Sequence, residues 1–205
     1  MLHDKDIREP LFDFLEESYG KIRIIEEKII GDSRADIIMV MPDAICGIEI
    51  KSDADTYTRL AGQVKDYDKF CDMNIVAVGS RHGLHICEHV PPHWGVITVE
   101  EENGGADFYF LRKPAKNPNV NPEKKLSLLW RNELAQIQSM NDMPKYKEKS
   151  RAFVAKKIVA MTEKIGAENL ARQISDILFE RDYTLVSETI EKHRKRRKRR
   201  VFSSF

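Results

Sequence analysis

The sequence predicts an α/β protein in which helices flank a mixed β-sheet, followed by a smaller helical unit. β-rich runs alternate with amphipathic stretches over the first hundred residues, and apolar side chains beyond residue 122 recur at helical spacing. Hydrophobic residues make up 41% of the 205 positions. A chain of this size can bury one substantial core together with a small second unit.

The first part of the chain follows the order α-β-β-β-α-β. Residues 4–19 have the apolar spacing of a helix, but Pro10 fits only a first turn and leaves the helix start open. Three β-rich runs follow, at 21–30, 35–41 and 44–51. This order predicts a meander of three strands packed behind a helix.

A second helix and further strands complete the predicted sheet. Leu60, Val64, Tyr67 and Cys71 recur at helical spacing and predict an amphipathic helix. The short apolar run at 74–79 is typical of a buried strand. We expect the fold class to be α/β with an αβββαβ core and a mixed sheet. A further strand is predicted at 94–100.

Composition divides the rest of the chain. Gly, Asn and Pro accumulate after residue 102, and this change predicts a linker. Apolar stripes at 126–137, 154–165 and 170–178 then predict three helices. The predicted organisation is a core at 1–102, a linker at 103–122, a C-terminal helical unit at 123–190 and a basic tail at 191–205.

The charge of the protein is concentrated in that tail. Residues 192–200, KHRKRRKRR, hold eight of the 34 Lys and Arg, so a net charge of +1 leaves 1 − 8 = −7 elsewhere. A solvated end, polyanion binding and a nuclear import signal are the alternatives. The tail residues predicted to contact nucleic acid are Lys195, Arg196, Arg197, Lys198, Arg199 and Arg200.

The sequence favours a cytoplasmic protein. It has no run of about 18 apolar residues, and its first residues lack the apolar segment of a secretory signal. We therefore expect no membrane span. The three cysteines, Cys46, Cys71 and Cys87, form no CxxC pair and indicate reduced, structural thiols.

A carboxylate and an ammonium share one face of a predicted strand. Glu49 and Lys51 are two residues apart, so both point away from the face that carries Ile48 and Ile50. A hairpin of even length centred on Pro42-Asp43 pairs residues whose numbers sum to 85, which sets Asp36 opposite Glu49. Facing carboxylates repel, so either one is protonated or a divalent cation lies between them.

The simplest alternative is a partly exposed, salt-bridged strand edge. The order of these residues and of the elements around them favours a functional site over this alternative. Asp36, a gap of twelve residues, and then Glu49-Ile50-Lys51 between two helices resemble the signature of the restriction-endonuclease-like PD-(D/E)XK nuclease superfamily. Ala35 replaces the proline that often precedes the aspartate. Gln63 and Tyr67 resemble the QxxxY element of the branch typified by the RecB nuclease domain.

The segments SRADIIMV, GIEIKSDADTYTRLAGQVKDYDKF, VGSRH and VPPHWGVITV, with LLWRNEL and ILFERDYT, look like a family of small prokaryotic and phage proteins within that superfamily. The resemblance implies a restriction-endonuclease-like core that hydrolyses phosphodiester bonds. It implies that Asp36, Glu49 and the Ile50 carbonyl bind Mg²⁺ or Mn²⁺ and that Lys51 orients the attacking water. Gln63 and Tyr67 would support Lys51 or contact the strand, with Gln63 in the catalytic set and Tyr67 among the nucleic-acid contacts.

A third acid often completes such a site. Glu9, Glu16, Glu17, Glu26 and Glu27 all compete for this role, and Glu27, near the end of the first strand, is our choice as an additional metal ligand.

His82 matches the histidine of the family's G-x-x-H and is predicted either to contact a phosphate or to be structural. The surrounding histidines, His85, His89 and His93, with Cys87, match no familiar zinc finger, and Pro91-Pro92 interrupts them.

The C-terminal helical unit has two interpretations. It loosely resembles a SAP-type DNA-binding module, in which Lys147 and Arg151 would contact phosphates together with Lys145, Lys149, Lys156 and Lys157. A helical lid that packs on the core explains the same apolar stripes, and we favour the lid.

The predicted function is a metal-dependent nuclease acting on DNA. The alternative is a nucleic-acid-binding adaptor that keeps the fold without catalysis. The sequence leaves open DNA or RNA, single or double strand, end or interior cleavage, and the oligomeric state.

Overall fold

The computed structural model describes residues 3–102 and 104–181 and shows a mixed α/β fold. The predicted order α-β-β-β-α-β is confirmed for the first six elements. The strands are β1 (Arg23–Ile30), β2 (Ser33–Val40), β3 (Ile45–Lys51), β4 (Met73–Gly79), β5 (Gly95–Glu102) and β6 (Gly105–Arg112). The helices are α1 (Asp4–Tyr19), α2 (Leu60–Phe70), α3 (Ser80–Gly83), α4 (Pro122–Leu126), α5 (Arg131–Met140), α6 (Arg151–Val159), α7 (Thr162–Ile165) and α8 (Ala167–Phe179).

The six strands form one sheet in the order β1-β2-β3-β4-β5-β6. The pairs β1–β2, β2–β3 and β5–β6 are antiparallel, whereas β3–β4 and β4–β5 are parallel. Parallel neighbours need a crossover, and α2 supplies the one between β3 and β4. The C-terminal ends of β3, β4 and β5 therefore lie at one end of the sheet.

The β2–β3 hairpin has the predicted register. Its pairs run from Val40 opposite Ile45 to Ile37 opposite Ile48, and every pair sums to 85. The Met41 N–H donates to the Ala44 carbonyl at 2.9 Å and closes the turn. Asp36 and Glu49 are the next residues on the two strands.

Two apolar layers cover the two faces of the sheet. On one face α1 packs through Ile7, Leu11 and Leu15 onto the odd residues of β2 and the even residues of β3. On the other face α2 and the C-terminal helices share a single core with the sheet, from Tyr67 to Leu178. The helical unit is thus packed on the sheet, as a lid would be.

The predicted linker at 103–122 is wrong in its first part. Residues 105–112 form β6, which pairs with β5 and buries Phe108 against Phe14 of α1, with ring centroids 5.3 Å apart. The following segment is also fixed, because Asn117 donates to the carbonyls of Asp68 and Cys71 at 2.7 and 2.8 Å. The sheet therefore continues beyond residue 102, and Gly104 and Gly105 belong to a hairpin.

Two predicted helices are each divided. The 126–137 stripe falls on α4 and α5, and the 154–165 stripe falls on α6 and α7. The Trp130 N–H donates to the Glu133 carboxylate at 2.6 Å, which starts α5 afresh.

Pro10 lies inside α1 and not in its first turn, so the helix starts earlier than the proline suggested. The helix is capped at its start, since the His3 N–H donates to Asp6 at 3.0 Å.

A buried ion pair links α5 to the segment after α8, and a residue of β1 bonds to the same segment. Arg181 donates through Nε and Nη2 to the two carboxylate oxygens of Glu133, at 2.7 and 2.5 Å, and its guanidinium lies 4.1 Å from the Trp130 ring centroid. Arg23 of β1 donates to the main-chain carbonyls of Phe179 and Arg181. Within residues 3–102 and 104–181, no helix is long and apolar enough to span a membrane.

Candidate active site

A charged cleft opens where β3 ends, between the β1–β2 turn, the segment that follows β3 and the start of α2. Its volume is about 780 Å³. The lining side chains are almost all polar or charged. They are Asp4, Asp32, Ser33, Arg34, Asp36, Glu49, Ile50, Lys51, Asp55, Thr58, Arg59, Gly62, Gln63, Lys65, Asp66 and Lys69.

The carboxylates of Asp36 and Glu49 share this end of the sheet on the α2 face. Glu49 is 1% exposed, and Asp36 is half-buried. Burial, followed by the charge of Glu49, raises the pKa of Asp36 from 3.8 to about 7. The charge of Glu49 thus acts on Asp36 in the direction expected for neighbouring carboxylates, and burial is the larger cause of the raised pKa.

Glu49 is held by three side chains. Lys51 Nζ and Gln63 Nε2 both donate to Glu49 Oε1 at 2.5 Å, and the Tyr67 hydroxyl donates to Oε2 at 2.8 Å. Gln63 therefore contacts the acid and is placed in the candidate site. Lys51 is 5% exposed, so the ion pair is buried.

Asp36 is fixed by main-chain contacts. The Ile50 N–H donates to Asp36 Oδ2 at 2.8 Å, and the Asp36 N–H donates to the Tyr67 hydroxyl oxygen at 3.1 Å. The Arg8 guanidinium, from α1, donates to the Asp36 carbonyl at 3.2 Å. The Ile50 N–H thus contacts the carboxylate pair, and the metal-binding role of the Ile50 carbonyl stays a prediction.

Arg8 is a site residue that sequence reasoning missed. It contacts Asp4, Glu26 and Glu27 as well as the Asp36 carbonyl, and its positive charge opposes the rise in the Asp36 pKa. Nothing in its local sequence indicates this role, because the contact with Asp36 spans 28 residues. It compensates part of the negative charge at the sheet end.

The structure pairs Glu27, predicted as an additional metal ligand, with two arginines, and its role as a ligand stays a prediction. Its carboxylate pairs with Arg8 at 3.3 Å and with Arg34 at 2.6 Å. Glu27 also has a φ of 54°, a left-handed conformation that is strained for a residue with a Cβ. The side chain is directed to the two arginines and is not grouped with Asp36 and Glu49.

The prediction that Tyr67 contacts nucleic acid is wrong. Tyr67 is fully buried, and its ring packs edge-on against Trp94 at 5.5 Å. Burial, with Glu49 and Asp36, raises its pKa well above 10, so the hydroxyl stays a donor. Tyr67 supports the site from inside the core.

The remaining predicted contacts lie outside the cleft. His82 packs against Tyr57, with ring centroids 4.9 Å apart, and does not line the cleft. Lys147 and Arg151 are exposed before and at the start of α6. The tail residues Lys195 to Arg200 lie outside the described residues.

The histidines and Cys87 separate in the structure. His93 donates to or accepts from Asp68 at 3.1 Å, and His85 contacts Glu88 at 3.2 Å. In the described part of the chain, no group of three or more His, Cys, Asp or Glu side chains is placed to hold a metal ion. The carboxylates near the ends of β2 and β3 therefore form a pair and not a triad.

One aspartate of α2, Asp66, positions a wall of the cleft, whereas Asp68 bonds to residues outside the cleft lining; neither role was found from the sequence. Asp66 accepts from the Ser33 hydroxyl at 2.8 Å and from the Asp32 N–H at 3.2 Å, which ties the β1–β2 turn to α2. Asp68 accepts from Trp94 Nε1 at 2.8 Å. Their spacing, two residues apart on a polar helix, looks like ordinary surface charge.

The chain matches a protein-family model and is distantly similar to a solved structure. The model for bacteriophage P4 protein cII matches residues 1–200. The structure of Pyrococcus furiosus SfsA in complex with Ca²⁺ is similar at 15% identity and a TM-score of 0.33. That match covers 54% of this chain and 60% of the SfsA chain. No curated protein matches. Because the family model spans nearly the whole sequence, the chain belongs to the bacteriophage P4 protein cII family.

Proposed function

We propose that this protein is a metal-dependent nuclease that hydrolyses phosphodiester bonds of DNA on a restriction-endonuclease-like core. The observation that carries the proposal is the pair of carboxylates, Asp36 and Glu49, with Lys51 bound to Glu49 at 2.5 Å, at the inner end of a charged cleft. The Glu49–Lys51 ion pair would not need a second carboxylate if it were purely structural. That second carboxylate is Asp36, and its pKa is raised to about 7.

The residues at this position fit a divalent cation. Asp36 and Glu49 offer carboxylate oxygens, and the Ile50 carbonyl is adjacent in sequence. Gln63 Oε1 is buried beside Glu49 and has no hydrogen-bond partner in the described part of the chain. Mg²⁺ is commonly held by one or two carboxylates while it keeps several waters, so a pair of acids is sufficient. Mn²⁺ accepts the same oxygen donors.

When bound, the cation would stabilise charge on the phosphoryl oxygens and lower the pKa of the attacking water. The residues of the chain have separate tasks. Asp36 and Glu49 hold the cation, and Lys51 orients the water through its ammonium. Gln63 and Tyr67 fix the Glu49 carboxylate, and the raised pKa of Tyr67 keeps its hydroxyl a donor at working pH.

The cleft also suits a polyanionic substrate at its rim. Arg59 and Lys65 are exposed there and are free of ion pairs with the described residues, whereas the acids Asp36 and Glu49 lie deeper. Cations at the rim can bind phosphates while the acidic pair remains for the metal. The rim thus carries these two cations as well as the exposed Asp32, whereas the acids proposed to hold the metal lie deeper.

A nucleic-acid-binding adaptor without catalysis is the alternative. One observation favours it, since Lys51 and Gln63 already satisfy Glu49 Oε1 in this structure. Cleavage distinguishes the two. Labelled linear, circular and branched DNA would be incubated with the protein and Mg²⁺, Mn²⁺ or EDTA. We expect cleavage with either metal and none with EDTA. Intact DNA under every condition would contradict the nuclease and favour the non-catalytic adaptor.

Replacement of Lys51 by Ala separates metal binding from water activation. We expect cleavage to be lost while calorimetry still detects Mg²⁺, because the ammonium acts on the water and not on the ion. Loss of Mg²⁺ affinity in this variant would contradict the role assigned to Lys51.

A further inference from the structure

A second positively charged surface lies outside the cleft, on α6 and the segment before it. We call it the basic face. Residues 143–160 carry six cations and one acid, so their net charge is 6 − 1 = +5. Together with the +8 of residues 192–200, this leaves 1 − 8 − 5 = −12 on the rest of the chain. The basic face consists of Lys145, Lys147, Lys149, Arg151, Lys156 and Lys157.

The structure keeps these cations free. All six are exposed, and none forms an ion pair with another residue of the ranges that the structure describes. Phe153 is half-buried at their centre, with the ammonium groups of Lys149 and Lys157 at 5.7 and 5.5 Å from its ring centroid. Tyr146 packs against the same ring at 5.4 Å. Aromatic packing thus holds like charges close together on one surface.

This surface continues toward the cleft. Lys28 of β1 lies opposite Ala35, the residue before Asp36. Burial lowers the pKa of Lys28, and the positive charges of Arg181 and Arg151 lower it further, so Arg151 is near enough to act on β1. Arg34, the neighbour of Ala35, lines the cleft. Arg151 of the basic face thus lies within electrostatic reach of Lys28, which pairs with the strand that carries Asp36.

We propose that the basic face binds the phosphate backbone of the same DNA whose scissile bond lies in the cleft, so that the C-terminal helices act as a second contact for long substrates. The inference rests on the proposed function for its substrate. These exposed cations stabilise the described fold through no ion pair, although the rest of the chain is acidic. Phosphates are the anions that such a group of cations binds. An acidic membrane is the competing polyanion and is included in the test.

The test neutralises four cations of the basic face in the full-length protein. A control variant loses the same charge from exposed lysines outside the basic face and the cleft. The test variant carries Lys147→Gln, Arg151→Gln, Lys156→Gln and Lys157→Gln. The control variant carries Lys113→Gln, Lys116→Gln, Lys124→Gln and Lys164→Gln.

Binding is measured without metal, so that it does not depend on cleavage. Fluorescence anisotropy with a duplex of about 30 base pairs would be titrated across salt concentrations, and each lost phosphate contact flattens the slope of log affinity against log salt by roughly 0.9. We expect the test variant to lose about 3 to 4 units of slope and the control variant to match the wild type. Both variants retain residues 192–200, so the tail contributes equally to each.

Three results would overturn the inference. These are superimposable slopes for the wild type and the test variant, an equal loss in the control variant, and a loss of binding to anionic phosphatidylserine vesicles without a loss on DNA. Cleavage gives a separate readout. We expect KM for the long duplex to rise in the test variant with kcat kept. If the wild type cut no DNA, the nuclease proposal would fail while the binding result still stood.

Discussion

The protein contains two buried charged clusters, and they are built in opposite ways. At the cleft, Asp36, Glu49 and Lys51 bring two carboxylates to one ammonium. Among the C-terminal helices, Glu133 and Arg181 form an ion pair with two short hydrogen bonds, and Arg181 stacks on Trp130. Glu49, Lys51, Glu133 and Arg181 are each 5% exposed or less.

The difference in charge balance separates a cluster that could bind a ligand from a pair that stabilises the fold. Planar guanidinium and carboxylate groups satisfy each other in the Glu133–Arg181 pair, which has balanced charge. The cleft cluster has one more carboxylate than ammonium, and burial, followed by the charge of Glu49, raises the pKa of Asp36. A buried excess of negative charge is unfavourable for the isolated protein and useful for holding a cation.

The largest effect should come from removing either carboxylate of the cleft. We expect Asp36→Ala and Glu49→Ala to lower the cleavage rate at least about 10³-fold, since the metal contributes several kcal/mol of charge stabilisation. Their stabilities should differ. Asp36→Ala relieves repulsion, whereas Glu49→Ala leaves buried Lys51 without its closest partner. Single-turnover cleavage and thermal melts measure both, with Asp32→Ala, at the cleft rim, as the control. Wild-type activity in either variant would remove the catalytic assignment.

Breaking the Glu133–Arg181 pair should change the stability of the protein and not its cleavage of DNA. Arg181→Met leaves the Glu133 carboxylate buried without its ion partner, and loss of one member of a buried pair reduces the free energy of unfolding by roughly 3–5 kcal/mol. Urea denaturation measures this. The exposed Arg172→Met is the matched control and should change little. A loss below 1 kcal/mol in Arg181→Met, as for an exposed pair, would show that the pair does not fasten the helices.

The pH dependence of stability should reveal the excess carboxylate. Because the folded pKa of Asp36, about 7, exceeds its ordinary value of 3.8, this group favours the folded state below pH 4 and loses that contribution as pH rises through 7. Asp36→Asn removes the titration and can still accept from the Ile50 N–H. We expect the variant to equal the wild type near pH 4 and to be more stable by about 2–4 kcal/mol at pH 8.

Denaturation of the metal-free proteins at pH 4, 6 and 8 would show this trend. A difference that is constant across pH would attribute the effect to packing and not to charge. Saturating Mg²⁺ should reduce the difference at pH 8 if the wild-type pair binds the cation, because binding to the folded state adds stability.

Arg8 should have the smallest effect. Its guanidinium offsets part of the excess charge and anchors the Asp36 carbonyl, so Arg8→Gln should lower stability by about 1 kcal/mol at pH 8. The loss should shrink at pH 5, where more Asp36 is protonated. Arg59→Gln, an exposed change at the cleft rim, serves as the control. An equal loss at both pH values would mean that Arg8 acts by hydrogen bonding alone.

The strand and helix periods predicted the arrangement around Glu49 better than composition and apolar spacing predicted where the later strands and helices begin and end. The Asp36–Glu49 alignment followed from a short hairpin, because a turn of even length and the two-residue strand period leave one register. The face shared by Glu49 and Lys51 followed from the same period. Gln63 and Tyr67 were placed on the helix face that packs on the sheet, and the structure brings both to Glu49.

Other features depend on contacts that no local pattern records. β6 was hidden because Gly104 and Gly105 resemble a linker, although the alternation of Phe108 and Phe110 was a strand signal. Continuous apolar stripes cannot show where a helix is interrupted. The Glu133–Arg181 pair spans 48 residues, and its partners are chosen by the packing of α4, α5 and α8 on the sheet.

The bonds from Arg23 to the carbonyls of Phe179 and Arg181 have a consequence for the order of folding. They join residues separated by 156 and 158 positions, so they close one of the longest loops available in the described chain. Closing so long a loop requires a large loss of chain entropy before any contact forms. The sheet can form from nearer neighbours, since each strand pairs with the next in sequence. During synthesis the cleft would therefore form before Arg23 of β1 bonds to the carbonyls at the end of α8 and just after it.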